Sequence, residues 1–174
     1  MKKILLPIIL YLLLYSFAIG QNYDLYVCDG GNFNLPPWQI LKFDETGDNG
    51  EVYIDQELSW PQDIVFIENQ GVVLISNLST GRITKYEADN GVYIENFATN
   101  IAGPTRMKIG KDSLLYVLQW GNEGKVLRFN LDGTLVDEFT STGITNGIGL
   151  DWDMDGNLFV STSTWDRNLK MNDE

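Results

Sequence analysis

A repeat of about 43 residues is the feature of this sequence that most narrows its fold. Three sequence features recur together at this interval: a strand-start signal, an apolar run and a basic–aromatic pair. The start signals are Trp60-Pro61, Gly103-Pro104 and Asn146-Gly147, and the pairs are Lys42-Phe43, Lys85-Tyr86 and Arg128-Phe129. The apolar runs are 25–27, 73–75, 115–117 and 158–160. Agreement of three features in one phase indicates a true structural repeat.

The second copy, residues 61–103, shows what one repeat contains. It predicts four short strands at 63–67, 72–76, 82–87 and 92–97, separated by turns rich in Gly, Asn and Asp. No segment has helical periodicity. Four strands per 40–45 residues are typical of a propeller blade, so the chain is expected to be an all-β protein, a β-propeller of four-stranded antiparallel blades.

The phase of the repeat predicts an incomplete ring. The blades are expected at about 21–60, 61–103, 104–146 and 147–174, the last of them incomplete. The first copy opens on a second strand at 24–28, and in total about 3.6 blades are present. A propeller typically has four to eight blades. We therefore expect a truncated part of a longer protein, whose missing blades would be its partners.

The first 20 residues are unlike the rest and predict a cleavable signal peptide. Lys2 and Lys3 precede an apolar run, and Ala18-Ile19-Gly20 supplies the small residues of a cleavage site. The predicted domains are therefore a signal peptide at 1–20 and a partial propeller at 21–174. The expected location is extracellular or periplasmic, with no membrane association after cleavage.

Composition excludes several classes of function. The chain has 24 acidic and 12 basic residues, which argues against nucleic acid as a partner, because phosphate must be neutralised by Lys and Arg. It contains no His and only one Cys, Cys28. A Ser-His-Asp triad, a Cys-His pair, His-ligated zinc and an internal disulfide are therefore all excluded. No catalytic residue is assigned.

Residues 146–161, N-G-I-G-L-D-W-D-M-D-G-N-L-F-V-S, have a Gly-led strand, an Asp-Gly turn and a second apolar strand. The same skeleton recurs at 104–118 and, with weaker turn chemistry, at 61–76. These stretches resemble the NHL-type six-bladed propeller superfamily, which includes SMP-30/gluconolactonase-like, streptogramin-lyase-like and YncE-like groups. The resemblance implies the fold, and it implies a metal-ligand role for Asn146 if the chain is a lactonase. The early Glu and later Asp that such lactonases also need are not matched here.

A second candidate metal site is Asp151-Trp152-Asp153-Met154-Asp155-Gly156. Asp151, Asp153 and Asp155 alternate before a glycine, as at the opening of an EF-hand loop, but the twelfth loop position is Thr162. The alternative is a plain Asp-Gly turn between two strands. We expect no cofactor, with Ca²⁺ or another divalent metal as the alternative.

The expected binding face is formed by the loops that join the second strand to the third and the fourth strand to the next blade. Directly after the second strands, at repeat spacing, come the polar residues Asp29, Asn77, Gln119 and Thr162, and the same loops contain Trp38, Trp120, Asn122 and Trp165. Aromatic rings beside amides suit a protein, peptide or glycan ligand. The alternative is that these tryptophans pack between blades.

The sequence therefore predicts an exported, non-catalytic propeller that acts as a binding module through this face. The alternative is a metal-dependent lactonase or lyase of the six-bladed type, whose remaining ligands lie in the missing blades. A fold of this kind hosts many unrelated functions, so the resemblance alone does not choose between them.

Overall fold

The fold is described by a computed structural model, which covers residues 23–33, 35–121, 123–163 and 168–171. These residues form four antiparallel sheets, and within each sheet the strands follow one another in chain order. The first sheet contains β1 (Leu25–Asp29), β2 (Gln39–Phe43) and β3 (Glu51–Ile54). The second contains β4 (Pro61–Ile67), β5 (Val72–Asn77), β6 (Arg82–Glu87) and β7 (Tyr93–Ala98). A single 3₁₀ turn, Glu68–Gln70, joins β4 to β5.

The third sheet contains β8 (Pro104–Ile109), β9 (Leu115–Gln119), β10 (Val126–Phe129) and β11 (Leu135–Glu138). The fourth contains β12 (Gly147–Trp152), β13 (Leu158–Thr162) and β14 (Asn168–Met171). Each sheet lies within one sequence repeat, so the sheets are called blades 1 to 4 below. The predicted all-β fold of antiparallel propeller blades is confirmed.

In the second copy several strand boundaries differ from the predicted ones by one or two residues, and two of these differences have clear local reasons. β4 begins at Pro61 rather than Asp63, because Pro61 already pairs with Asn77 before a bulge in the register. β7 begins at Tyr93 rather than Val92, because the backbone N–H of Val92 donates to the side chain of Asn90 and completes the preceding turn.

The apolar runs of the sequence are the second strands of the blades, and in blades 2 and 3 both faces of this strand are covered. Every residue of β5 and β9 is buried. Val73 and Ile75 pack towards blade 1, whereas Val72 and Leu74 pack towards blade 3. A strand covered on both faces needs a continuous apolar run rather than an alternating one.

Three apolar clusters join successive blades. The cluster between blades 2 and 3 includes Leu74, Ile83, Met107 and Val117, all at most 5% exposed. Equivalent clusters lie between blades 1 and 2 and between blades 3 and 4. Each fully buried aliphatic side chain contributes about 1.5–3 kcal/mol, so stability comes from contacts between neighbouring repeats.

The basic–aromatic pairs have a simple structural reason. Their aromatic members Tyr86 and Phe129 are buried between blades. In blades 2 and 3 the basic members point to the other side and pair with an acidic residue directly opposite on the fourth strand. These ion pairs are Lys85–Glu95 at 3.0 Å and Arg128–Asp137 at 2.6 Å.

The predicted signal peptide at 1–20 lies outside the described residues. Within the described part of the chain, no helix is long and apolar enough to cross a membrane.

Candidate functional site

The four polar positions predicted for the binding face are structurally equivalent. Asp29, Asn77, Gln119 and Thr162 are the last residues of β1, β5, β9 and β13, the second strands of the four blades. Because the strands are antiparallel, the loops after these residues and the loops that enter the next blade lie at the same end of each sheet. We call this end the loop face, and the opposite end the turn face.

Asn77 is a buried anchor for the loop that enters blade 2. Its Oδ1 accepts a hydrogen bond from the backbone N–H of Ser59 at 2.7 Å. Its Nδ2 donates to Thr84 Oγ1 at 2.9 Å and to the Ile75 carbonyl at 3.2 Å. The residue has 0% exposure, so its amide serves the fold and is not open to a ligand.

Two of the equivalent residues also hold loops in place. Thr162 Oγ1 donates to the carbonyl of Thr145 at 2.9 Å, in the segment that leads into blade 4. Asp29 Oδ1 accepts the backbone N–H of Gly31 at 2.9 Å. Gln119 is 8% exposed and differs from these residues because it lines a cleft.

This cleft opens at the loop face between blades 2 and 3 and has a volume of about 530 Å³. Its lining residues are Asn100, Gln119, Glu123, Lys125, Leu127, Leu135 and Glu138. The ammonium of Lys125 lies 2.7 Å from Glu138 and 3.2 Å from Glu123. The hydrogen bonds that Lys125 donates to Glu138 and Glu123 raise the pKa of Lys125, so the cation stays charged within an otherwise acidic cleft.

The loop-face tryptophans have different surroundings. Trp38 is half-buried, packs against the cluster between blades 1 and 2, and donates its Nε1–H to the Phe33 carbonyl at 3.3 Å. Phe33 itself is 65% exposed, with its ring 5.6 Å from that of Trp60. Trp120 is half-buried. The remaining two predicted residues of this face, Asn122 and Trp165, lie outside the described residues.

The candidate metal ligand Asn146 occupies a backbone position that recurs in three blades. Trp60, Gly103 and Asn146 directly precede the first strand of their blades, with φ values of 54°, 67° and 61°. In each blade the carbonyl of this residue accepts a hydrogen bond from the residue that follows the second strand: Leu78, Trp120 or Ser163. Gly and Asn tolerate a positive φ well, which gives Asn146 a structural reason to be there.

The three aspartates of the second candidate metal site have separate surroundings. Asp151 forms an ion pair with Lys108, which lowers the pKa of the carboxyl. Asp153 accepts hydrogen bonds from the backbone N–H and side-chain amide of Asn157 at 2.8 and 2.7 Å. Asp155 is exposed in the turn between β12 and β13. Within the described ranges, no three Asp, Glu, Cys or His side chains lie close enough together to hold a metal ion.

Sequence reasoning missed most residues of the loop-face cleft. It identified Gln119, but not Asn100, Glu123, Lys125 or Glu138. Lys125 is the last residue of the predicted loop 118–125 and directly precedes β10, so the sequence already placed it on this face. Its pairing with Glu138 depends on the packing of the third and fourth strands of blade 3.

Comparison with known proteins bears on the fold. No family model matches the chain, and no curated protein matches it. Among solved structures, it is similar to a gluconolactonase from Xanthomonas campestris, with a TM-score of 0.59 and 16% identity over 74% of this chain and 42% of that one. It is similar to streptogramin B lyase, with a TM-score of 0.58 and 23% identity over 79% of this chain and 44% of that one.

A chain of the nidogen/laminin complex matches with a TM-score of 0.63 and 18% identity, over 80% of this chain and 52% of that one. The chain thus spans about half the length, or less, of the solved structures described here. At these identities the likeness concerns the fold. The chain therefore has the β-propeller fold shared by these gluconolactonase, streptogramin B lyase and nidogen/laminin structures, as its resemblance in sequence to six-bladed propellers implies.

Proposed function

We propose that this chain is the propeller part of an exported, non-catalytic binding protein, and that its loop face recognises a glycan. The single observation that carries the proposal is the open cleft between blades 2 and 3. Its amides, carboxylates and ammonium group alternate donors and acceptors, which is what hydroxyl groups need, since each hydroxyl both donates and accepts.

The apolar parts of the same cleft support a sugar ligand. Leu127 and Leu135 form part of its wall, and Leu135 is 53% exposed. Sugar rings have apolar faces of C–H groups, which are buried favourably against such side chains. The exposed ring of Phe33 in the long loop of blade 1 adds a second apolar surface on this face.

The test is a glycan array probed with the full chain, followed by titration calorimetry with any glycan that is retained. Lys125→Gln is expected to weaken binding at least tenfold, because it removes the cationic donor among the lining residues of the cleft. Lys85→Gln is the matched control, since Lys85 also pairs with a fourth-strand carboxylate but lies outside the cleft. No retained glycan, or equal effects of the two substitutions, would reject the proposal.

The alternative is a metal-dependent lactonase or lyase, the activities named for two of the similar structures. Titration of the chain with Ca²⁺, Mg²⁺ and Zn²⁺ tests it directly. A binding heat that disappears in Asn146→Gly would favour the enzyme, because this substitution keeps the backbone conformation and removes only the side chain.

A further inference from the structure

A smaller cavity of about 210 Å³ lies between blades 3 and 4, beside the turns of the turn face. Two of its lining residues, Lys111 and Asp112, belong to the turn between β8 and β9. Gly156 belongs to the corresponding turn of blade 4. The cavity is thus at the opposite end of the blades from the loop-face cleft and shares no residue with it.

Three aromatic rings form its wall. The centroid of Tyr116 lies 5.0 Å from that of Phe139 and 4.9 Å from that of Trp152, both in edge-to-face geometry. Trp152 Nε1 is buried and has no hydrogen-bond partner among the described residues. A buried donor of this kind costs free energy until an acceptor reaches it.

The two cations that line the cavity, Arg128 and Lys111, differ in their partners. Arg128 stacks on Phe139 with its guanidinium carbon 5.0 Å from the ring centroid, and Asp137 neutralises it through two hydrogen bonds of 2.8 and 2.6 Å. Asp112 accepts the Tyr116 hydroxyl at 2.8 Å. Lys111 is exposed and forms no ion pair within the described part of the chain, whereas Asp112 already lies 3.8 Å from Arg128. Lys111 is therefore the cation of the lining that can pair with a ligand.

We propose that this cavity binds a hexuronate, a sugar that carries a carboxylate. The carboxylate pairs with Lys111, and the C–H face of the ring packs against the aromatic wall. A hydroxyl of the sugar donates to Asp112, whose carboxylate oxygens retain free acceptor capacity. A second sugar oxygen accepts the Trp152 Nε1–H after a small displacement of the indole edge. The volume admits one sugar ring.

The test uses the full chain, ¹⁵N-labelled at its indole nitrogens, titrated with D-glucuronate and followed by NMR. A ligand of this size is expected to bind with a Kd of about 1 mM and to shift the Trp152 indole resonance, which Trp152→Phe assigns by removing it. D-Glucose, which lacks the carboxylate, and benzoate, which lacks hydroxyls, are each expected to bind at least tenfold more weakly. A tetragalacturonate distinguishes a free sugar from a polyuronide: tighter binding of the oligomer indicates the polymer.

Two lysine variants separate this proposal from the loop-face proposal. Lys111→Gln is expected to weaken glucuronate binding at least tenfold, whereas Lys125→Gln is expected to leave it unchanged. The hexuronate proposal is overturned if Lys111→Gln has no effect, if glucose binds as well as glucuronate, or if only Lys125→Gln reduces binding. If only Lys125→Gln reduced glucuronate binding, the loop-face proposal would stand. Glycan binding that neither lysine substitution weakens would reject both proposals.

Discussion

The carboxylate of Asp63 accepts a hydrogen bond from the backbone N–H of Met107, with Oδ2 2.7 Å from the nitrogen, and thereby joins the first strands of blades 2 and 3. Its other oxygen accepts the N–H of Ile64 at 3.0 Å. One side chain thus bridges two successive repeats near the inner edge of the blades.

Asp63→Ala is expected to lower the free energy of unfolding by about 1–3 kcal/mol, because it leaves two partly buried N–H groups without acceptors. Urea denaturation measures the change. Asp55→Ala, at an exposed loop position, is the control and is expected to stay within about 0.5 kcal/mol of the native chain. Equal effects of the two substitutions would contradict the bridging role.

Asp63 also predicts a pH dependence. Burial raises the pKa of its carboxyl, and the hydrogen bonds from Met107 and Ile64 offset this only in part. The native state therefore binds more protons than the unfolded state at pH values between the unfolded pKa, about 4, and the raised native pKa. Across this window, stability relative to Asp63→Asn should fall as the pH rises, and it should be constant at higher pH. Urea denaturation of both chains from pH 4 to 7 checks this, and a relative stability that rises with pH would show that the hydrogen bonds prevail.

Asn77 is expected to be the most sensitive of the four equivalent polar positions. Asn77→Ala removes the acceptor of Ser59 N–H and the donor to Thr84 at a site with 0% exposure, so we expect a loss of about 3 kcal/mol. Thr162→Val at the equivalent position loses one bond at a half-buried site and should cost about 1 kcal/mol. Thermal or urea denaturation orders the two, and the reverse order would refute the anchoring role of Asn77.

The left-handed backbone of Asn146 predicts opposite outcomes for two small substitutions. Asn146→Gly should leave stability within about 0.5 kcal/mol, whereas Asn146→Ala should lower it by about 1 kcal/mol, because only alanine is strained at φ 61°. Denaturation curves of both variants measure this. Similar losses for both would instead point to a role of the asparagine side chain itself.

Cys28 is expected to be nearly inert in the native chain. Burial, with a smaller contribution from the charge of Asp63, raises the pKa of its thiol to about 12. At pH 8 the thiolate fraction is then about 1,000-fold below that of an unfolded cysteine. Labelling with a thiol-specific disulfide reagent should be slow in buffer and fast in 8 M urea. Rapid labelling in buffer would show that the thiol is accessible.

Much of the fold was readable from the sequence because each repeat places the same kind of residue in the same surroundings. The run Val73-Leu74-Ile75 predicted a covered strand, and the pair Lys85-Tyr86 has one side chain at an ion pair and one in the core. The residues of the candidate site were harder to predict from the sequence. Asn77 was predicted directly after its strand and is in fact the last residue of β5, and its burial depends on Ser59, which lies in the preceding segment.

The sequence by itself determined the strand period and the recurring position of Asn146, because these depend on contacts that repeat along the chain. Tertiary structure alone decided which polar side chains line a cavity. Gln119 shares its cleft with Asn100, and Lys111 shares its cavity with Trp152, a residue of the next blade. Such neighbours come from different repeats, and the packing of one blade on another sets their distance. The pattern of apolar and polar residues along one strand carries no information about how one blade packs on the next.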